Sequence, residues 1–481
     1  MRNARNLAAL SVACALITGC IPTLMDNPSR DARRAVPSSL RQADGVVKGA
    51  PTAENAAQKS WKEFFSSPPL AELIQLAMKN NQELNLRVQE IIIAQAEVSA
   101  RRGEYRPRVS AGAGAGLEKV GGYTSQGFAD ELTGVPVNLG NFAFGLTASW
   151  ELDIWGKLRN AANAADFRYL ASIEGRKFMV TQLVGEIARS YYELIALDNQ
   201  LEVLNRNIKI QTDGLEIMRV QKQAARVTEL AVQRFEAEVL KNRSRLYDLE
   251  QERVQAENRI NFLVGRYPQP VARNAQEMQN PLPGVVQTGL PSQLLENRPD
   301  VRAAELELQA AKLDVRSARG NFYPSLSIDA AVGYRAFNVS HILATPESLL
   351  YNVAGNLVAP LLNRAAIKAQ YRTANARQLQ AVFNYERTLL QAFTDVVNQV
   401  VQFDNLKKSY DLEQQQVDTL GRSVEISNVL FQAARADYME VLLTRRDSLE
   451  AQMELIETKR RLLHSMVNIY QSLGGGWRPA S

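Results

Sequence analysis

The chain has almost no cysteine or histidine. Cys14 and Cys20 both stand in the first twenty of 481 residues, and His341 and His464 are the only histidines. A disulfide framework and a Cys/His zinc site are thereby excluded, and the two lone histidines, one in a predicted loop and one on the last helix, read as structural rather than as part of a Ser-His-Asp triad. Long apolar runs are also missing: beyond the start of the chain no segment holds 18 unbroken apolar residues, so no transmembrane helix is expected. Charge of one sign is scarce. Lys and Arg number 56 against 51 Asp and Glu, net +5, spread along the chain, so no nucleic-acid partner is expected. No GxxxxGK[ST] phosphate loop occurs. Gly112-Ala113-Gly114-Ala115-Gly116 mimics a dinucleotide loop, but it lies inside an alternating segment and no helix follows it. The acidic residues sit beside Lys and Arg as solvated helix faces. The expectation is a protein that is not an enzyme and needs no cofactor or metal.

What the chain does hold is 46% apolar residues, with Ala, Gln, Leu, Arg and Glu dominating long stretches, the composition of long helices. Its first residues read as a secretory signal over 1–19: Arg2 and Arg5, an apolar run over 7–17, then Thr18-Gly19-Cys20. Ile17-Thr18-Gly19-Cys20 also fits the lipobox of bacterial lipoproteins, in which the Cys thiol is diacylated and the peptide is cleaved ahead of it. Cys20 is thus the candidate lipidation site; the alternative is a plain signal peptide with an incidental Cys. Ile21 in place of an Asp favours outer-membrane sorting, which makes outer-membrane lipid a partner. Residues 20–60, rich in Pro, Ser, Asp, Arg and Gly without a period, read as an extended tether.

The remainder is one unit written twice. Arg102-Gly103-Glu104-Tyr105-Arg106-Pro107-Arg108-Val109-Ser110 returns 217 residues later as Arg319-Gly320-Asn321-Phe322-Tyr323-Pro324-Ser325-Leu326-Ser327. Gln223-Ala224-Ala225-Arg226 returns 209 residues later as Gln432-Ala433-Ala434-Arg435. The first repeat is placed at 61–270 and the second at 290–474, with a Pro-rich linker over 271–289 and a tail over 475–481.

Within each repeat the hydrophobic period changes twice. Helical spacing over 73–102 and 290–319 ends at Pro107 and Pro324, which cannot continue a helix. The period then becomes two. Val109, Ala111, Ala113, Ala115 and Leu117 alternate with small or polar residues; so do Phe142, Phe144, Leu146, Ala148, Trp150, Leu152 and Ile154, and Leu326, Ile328, Ala330, Val332 and Tyr334. Strands are expected over 107–119, 141–154, 324–337 and 349–360. Alternation alone suits a half-buried soluble hairpin as well as a membrane-spanning strand with lipid on one side and a wet lumen on the other. The lipobox and the strand length favour the membrane. Four strands cannot close a barrel in lipid, so the chain must oligomerise. Each strand pair is followed by a proline-free helical stretch of about 65 residues, roughly 100 Å if unbroken. Leu183, Ile187, Leu194, Leu197, Leu201 and Leu204 show heptad-like spacing that asks for packing against neighbouring helices.

Three segments carry a family resemblance. Leu295-Glu296-Asn297-Arg298-Pro299-Asp300-Val301-Arg302-Ala303-Ala304-Glu305 followed by Ala318-Arg319-Gly320-Asn321-Phe322-Tyr323-Pro324-Ser325-Leu326 resembles the central motif of TolC-like outer-membrane efflux proteins. Ser149-Trp150-Glu151-Leu152-Asp153-Ile154-Trp155-Gly156-Lys157-Leu158-Arg159 does so too. The ending Leu473-Gly474-Gly475-Gly476-Trp477 resembles the lipoprotein, NodT-type branch serving resistance-nodulation-division pumps. The resemblance implies a mainly α fold with membrane β: an internally duplicated helix-hairpin-helix unit contributing four strands per chain to a trimeric 12-stranded β-barrel, continued by a long α-helical periplasmic barrel. The partners it implies are two further copies in a homotrimer, a periplasmic adaptor (membrane fusion) protein and an inner-membrane pump.

The same resemblance places a periplasmic gate. The usual constricting apolar position falls on Met439 and the usual arginine on Arg446, while the acidic position between them falls on Leu443. A leucine ring would gate by dewetting where carboxylates would bind cations. Asp437 stands nearby to supply charge. Met439 and Leu443 also have the i, i+4 spacing of ordinary helix packing. Ala225, Arg226, Ala434 and Arg435 form the candidate adaptor-docking turns, with Ala225 and Ala434 where the family often has glycine. The expected function is a passive exit channel of a tripartite efflux system. An exit duct for protein secretion, or a lipid-anchored periplasmic coiled-coil adaptor without a pore, are the alternatives.

Overall fold

The computed structural model describes residues 21, 24, 28–35, 37, 41–42, 45–46, 55–280, 293–433 and 435–478. Cys20 and Ala434 lie outside them, as do the signal segment, most of the tether and residues 281–292 of the linker region. The chain forms two compact units: one holds Ile91–Ala171 and Ala304–Tyr385 with the described residues before Arg33, and the other holds Arg33–Glu90, Ser172–Ala303 and Glu386–Ser481.

The elements in chain order are α1 (Trp61–Phe65), α2 (Pro68–Asn80), α3 (Gln82–Glu104), β1 (Arg108–Glu118), α4 (Ser125–Thr133), β2 (Leu139–Leu152), α5 (Lys157–Gln223) and α6 (Glu229–Val264). After a four-residue helical turn at Leu294–Asn297 come α7 (Pro299–Gly320), β3 (Ser325–Ala336), β4 (Leu349–Val358), α8 (Ala365–Gln432) and α9 (Tyr438–Ser472). The fold is mostly helical; the described residues also hold a short antiparallel pairing of Arg41–Gln42 with Gly45–Val46 and a four-stranded antiparallel sheet in the order β1-β2-β3-β4. Among the described residues no helix is long and apolar enough to cross a membrane.

Local chemistry explains three departures from the sequence reading. The helix expected over 73–102 is two helices, because Asn81 takes an extended conformation and splits them. Its side-chain oxygen accepts from the Leu84 amide at 2.9 Å and its amide donates to the Leu263 carbonyl at 2.8 Å, so a buried break is fully satisfied. The polar stretch between β1 and β2 contains α4, capped by the Thr124 hydroxyl accepting from Gly127 and ended by Gly134 in a left-handed conformation. The last residues of the tether segment are also packed in: Ala56 and Ala57 are buried, and the Tyr470 hydroxyl donates to the Lys59 carbonyl at 2.8 Å.

In the second unit the leucine stripe of α5 is core. Leu183, Ile187, Leu194, Leu197, Leu201 and Leu204 are all buried, in one cluster with Ile260 and Val264 of α6 and Leu462, Val467 and Tyr470 of α9. Each such side chain contributes about 1.5–3 kcal/mol by leaving water. In the first unit the sheet holds the strands in a register that decides which residues share a face.

Candidate functional site: a one-sided sheet and two helix turns

In an antiparallel sheet, directly paired residues point to the same side. Ala113 pairs with Phe144, Phe144 with Tyr334, and Tyr334 with Leu349. Two residues along each strand, Ala111, Leu146, Val332 and Tyr351 form the next row, and Val109, Ala148, Ala330 and Val353 the one after. The apolar sets of all four strands therefore coincide on one face. That face is open: Tyr351 is 78% exposed, Val353 76%, Val109 64% and Leu146 50%. An apolar face of this extent uncovered in water marks a surface made for lipid or a partner.

The opposite face carries Ser110, Gly112, Gly114, Thr147, Ser149, Asp329, Asn352 and Asn356. Asn356 donates to Asp329 at 2.9 Å, and Arg335 to Asn141 at 2.8 Å. Residues of all four strands, among them Gly112, Gly145, Gly333 and Leu350 together with Phe144 and Tyr334, line a trough of about 380 Å³ in the sheet. Gly145 pairs with Gly333 so closely that a Cβ on Gly145 would stand 2.5 Å from the Val332 carbonyl oxygen. Only glycine permits that approach. Among the described residues, strands β1 and β4 each pair on one side alone, which leaves the sheet two open edges.

Strand β2 ends at Leu152, two residues before the expected Ile154, because Asp153 leaves the ladder to cap α5. Its carboxylate accepts from the Leu158 amide at 3.0 Å and the Arg159 amide at 2.9 Å. Burial alone would raise its pKa, but these bonds and the Arg159 guanidinium outweigh it and hold the carboxyl below the usual range. Gly156 supplies the left-handed turn, and Trp155 stacks on Tyr323 with ring centroids 4.6 Å apart. The two central motifs thus meet at one strand-to-helix joint, where Lys157 also pairs with Glu151 at 2.5 Å.

The second unit holds both helix turns. At the α5–α6 turn the Arg226 amide donates to the Gln221 carbonyl and the Ala225 amide to Lys222, both at 2.9 Å, with Ala225 at φ 56°. This is a Schellman ending with alanine in the place that favours glycine. At the α8–α9 turn the Arg435 amide donates to Leu430 in the same pattern. Arg226 and Arg435 are exposed.

Asp437 is the N-cap of α9, its carboxylate accepting from the Met439 amide. Met439 is half-buried against the cluster of Leu215, Met218, Val232, Phe235, Val239 and Leu442. Leu443 is 42% exposed. Arg446 pairs with its neighbour Asp447 at 3.0 Å, a bond that raises the guanidinium pKa further. Met439 is thus drawn toward the local core, Leu443 stays open, and the Asp437 carboxylate is engaged in capping. Tyr438, which the sequence reading passed over, wedges between Phe235 of α6 and Phe431 of α8.

The family model for outer membrane efflux proteins matches residues 73–266 and 290–475. The chain belongs to the outer membrane efflux protein family. It is 29% identical over 480 residues to the pyoverdine export outer membrane protein OpmQ of Pseudomonas aeruginosa, covering 98% of this chain and 97% of that one. With the cation efflux system protein CusC of Escherichia coli it shares 27% over 476 residues, 98% of this chain and 99% of the relative. The open-state structure of the Neisseria gonorrhoeae MtrE outer membrane channel superposes with a TM-score of 0.81 at 22% identity, covering 94% of this chain and 98% of that one. This outer membrane efflux protein is an exit duct of the outer membrane with a large periplasmic helical extension, and it is not an enzyme. Among the described residues no group of three or more His, Cys, Asp or Glu side chains could hold a metal ion.

Proposed function

We propose that three copies of this efflux protein close one 12-stranded barrel and one helical tunnel, the exit channel of a tripartite system that docks with a periplasmic adaptor and an inner-membrane pump. The single observation that carries this reading is the sheet: one apolar face open across four strands, and an unpaired edge on each side. In lipid an open edge strands main-chain donors and acceptors at several kcal/mol each, and joining β4 of one copy to β1 of the next removes every edge. The small, polar face then lines the lumen. Conductance in planar bilayers tests this, together with a heat-modifiable oligomer on gels. A non-conducting monomer overturns it and favours the pore-free adaptor.

Cys20 is the lipid-anchored residue in this reading. Cys20→Ser should abolish incorporation of labelled palmitate, and label persisting in that variant refutes the assignment. The gate is assigned to Met439, Leu443, Arg446 and Asp437, with Leu443 closing by dewetting. Leu443→Asp should raise conductance for cations and make it salt-dependent. The turns at Ala225, Arg226, Ala434 and Arg435 are the adaptor-docking sites. OpmQ is named for pyoverdine and CusC for cations, so relatives of this chain serve unlike cargoes; in this reading the pump sets the cargo.

A further inference from the structure

The residues just before Arg33 lie on the unit that contains the sheet, and α8 carries a receptor for them. The buried stripe of α8 runs through Tyr371, Asn375, Gln378, Val382 and Tyr385. Gln378 is polar and only 1% exposed, yet it stands in that stripe. Its amide donates to the Arg30 carbonyl at 2.8 Å. The Arg30 guanidinium sits 4.9 Å from the centre of the Phe383 ring, and Lys312 of α7 pairs with Asp31 at 2.6 Å. A buried amide spent on a main-chain carbonyl recognises an extended backbone, and the two flanking cation contacts fix its position.

We infer that residues 30–31 are a mooring: they dock the leading segment onto α7 and α8 and so fix the working length of the lipid tether. The mooring itself needs only the contacts above; its consequence for the tether rests on the lipid-anchor reading. Arg30 lies ten residue steps from Cys20, a stretch that can span at most about 35 Å. Gln378 lies 13 residues along α8 from Ala365, the sheet end of that helix, a rise of about 20 Å. The tether is therefore long enough to bring the acylated Cys20 back to the sheet's end, with about 15 Å to spare. Pull from the anchor is taken up at the mooring instead of by the packed residues from Asn55 onward.

Arg30, Arg33 and Arg34 give trypsin three cleavage sites in or beside the mooring. The test is the rate of cleavage there in the full-length protein reconstituted in phospholipid vesicles, read by mass spectrometry, with palmitate incorporation measured on the same samples. Cleavage of a docked segment follows the population of its open form. Gln378→Leu and the surface variant Lys312→Glu should each be cut about tenfold faster than wild type, the ratio given by 1.4 kcal/mol of lost docking. Lys312→Glu keeps the test alive if Gln378→Leu fails to fold. Deleting residues 24–28 leaves five residues, at most about 18 Å, and should undock the segment in acylated protein, whereas a Gly/Ser replacement of equal length should not. Wild-type cleavage as fast as in denatured protein, or variants cut at the wild-type rate, overturns the mooring. Absence of palmitate from wild type sinks the anchor reading alone, because the two point variants still decide the mooring.

Discussion

The indole of Trp155 stacks on Tyr323 at 4.6 Å and donates its N–H to the Pro324 carbonyl at 2.8 Å, joining residues 168 and 169 positions apart. This contact locks the end of β2 to the start of β3 where α5 departs. Trp155→Ala should loosen the joint by about 2 kcal/mol, from lost stacking and one hydrogen bond. Trp155→Phe, which keeps the ring and loses the N–H, should recover about half. Thermal stability of the purified protein measures both.

Arg298 is a second such lock. It is 8% exposed, bonds both Asp300 oxygens, and donates to the Ser472 carbonyl at 3.1 Å. The neighbouring Asn297 carbonyl accepts from Trp477 at 3.2 Å. Arg298→Leu strands a largely buried carboxylate and should destabilise by about 3 kcal/mol or more in chemical denaturation. Arg298→Lys should not fully restore stability, because an ammonium cannot bond both oxygens in the same fork.

His464 sets a pH dependence. Its Nε2 lies 2.9 Å from the Arg189 carbonyl and its Nδ1 3.4 Å from Arg460, a pairing that suits the neutral ring. Burial first, and then the Arg460 charge, push its pKa from 6.5 down to about 4, with Glu457 opposing weakly. The unfolded chain takes up the proton at a pH where the native one does not. Stability from this group is therefore complete above pH 6.5 and declines toward pH 4, by up to about 3 kcal/mol. His464→Gln should flatten that part of the stability curve, as followed by denaturation between pH 4 and 7.

Ala225 holds φ at 56°, a conformation that costs an L-residue about 1 kcal/mol. Ala225→Gly removes that strain at some cost in unfolded-chain entropy and should stabilise the turn by up to about 0.5 kcal/mol. Hydrogen exchange at Arg226 should slow correspondingly, since its amide closes the turn on Gln221. Unchanged or faster exchange would count against the strain.

Much of this architecture is written in short-range pattern. Alternation at Phe142, Phe144, Leu146 and Ala148 announced a strand, and the leucine spacing from Leu183 to Leu204 announced a packed helix, because each period is a property of consecutive residues. The family motifs were legible too, though not their roles. Nothing in the run Leu152-Asp153-Ile154 says that the alternation outlasts the strand and that Asp153 turns away to cap α5.

By itself, then, the sequence determined the four sheet strands and the long helices, though not the break at Asn81 or the helix α4, that the strands' apolar residues fall on one side, and which family the motifs resemble. Tertiary structure alone decided the register that aligns four apolar faces, the burial of Arg298 against Asp300, and the docking of Arg30 on Gln378. It also decided that Met439 packs inward while Leu443 stays open. The physical reason is range. Periodicity is set by backbone geometry over a few residues, whereas pairing between residues far apart depends on which surfaces the folded chain brings into contact, and no local pattern encodes that choice.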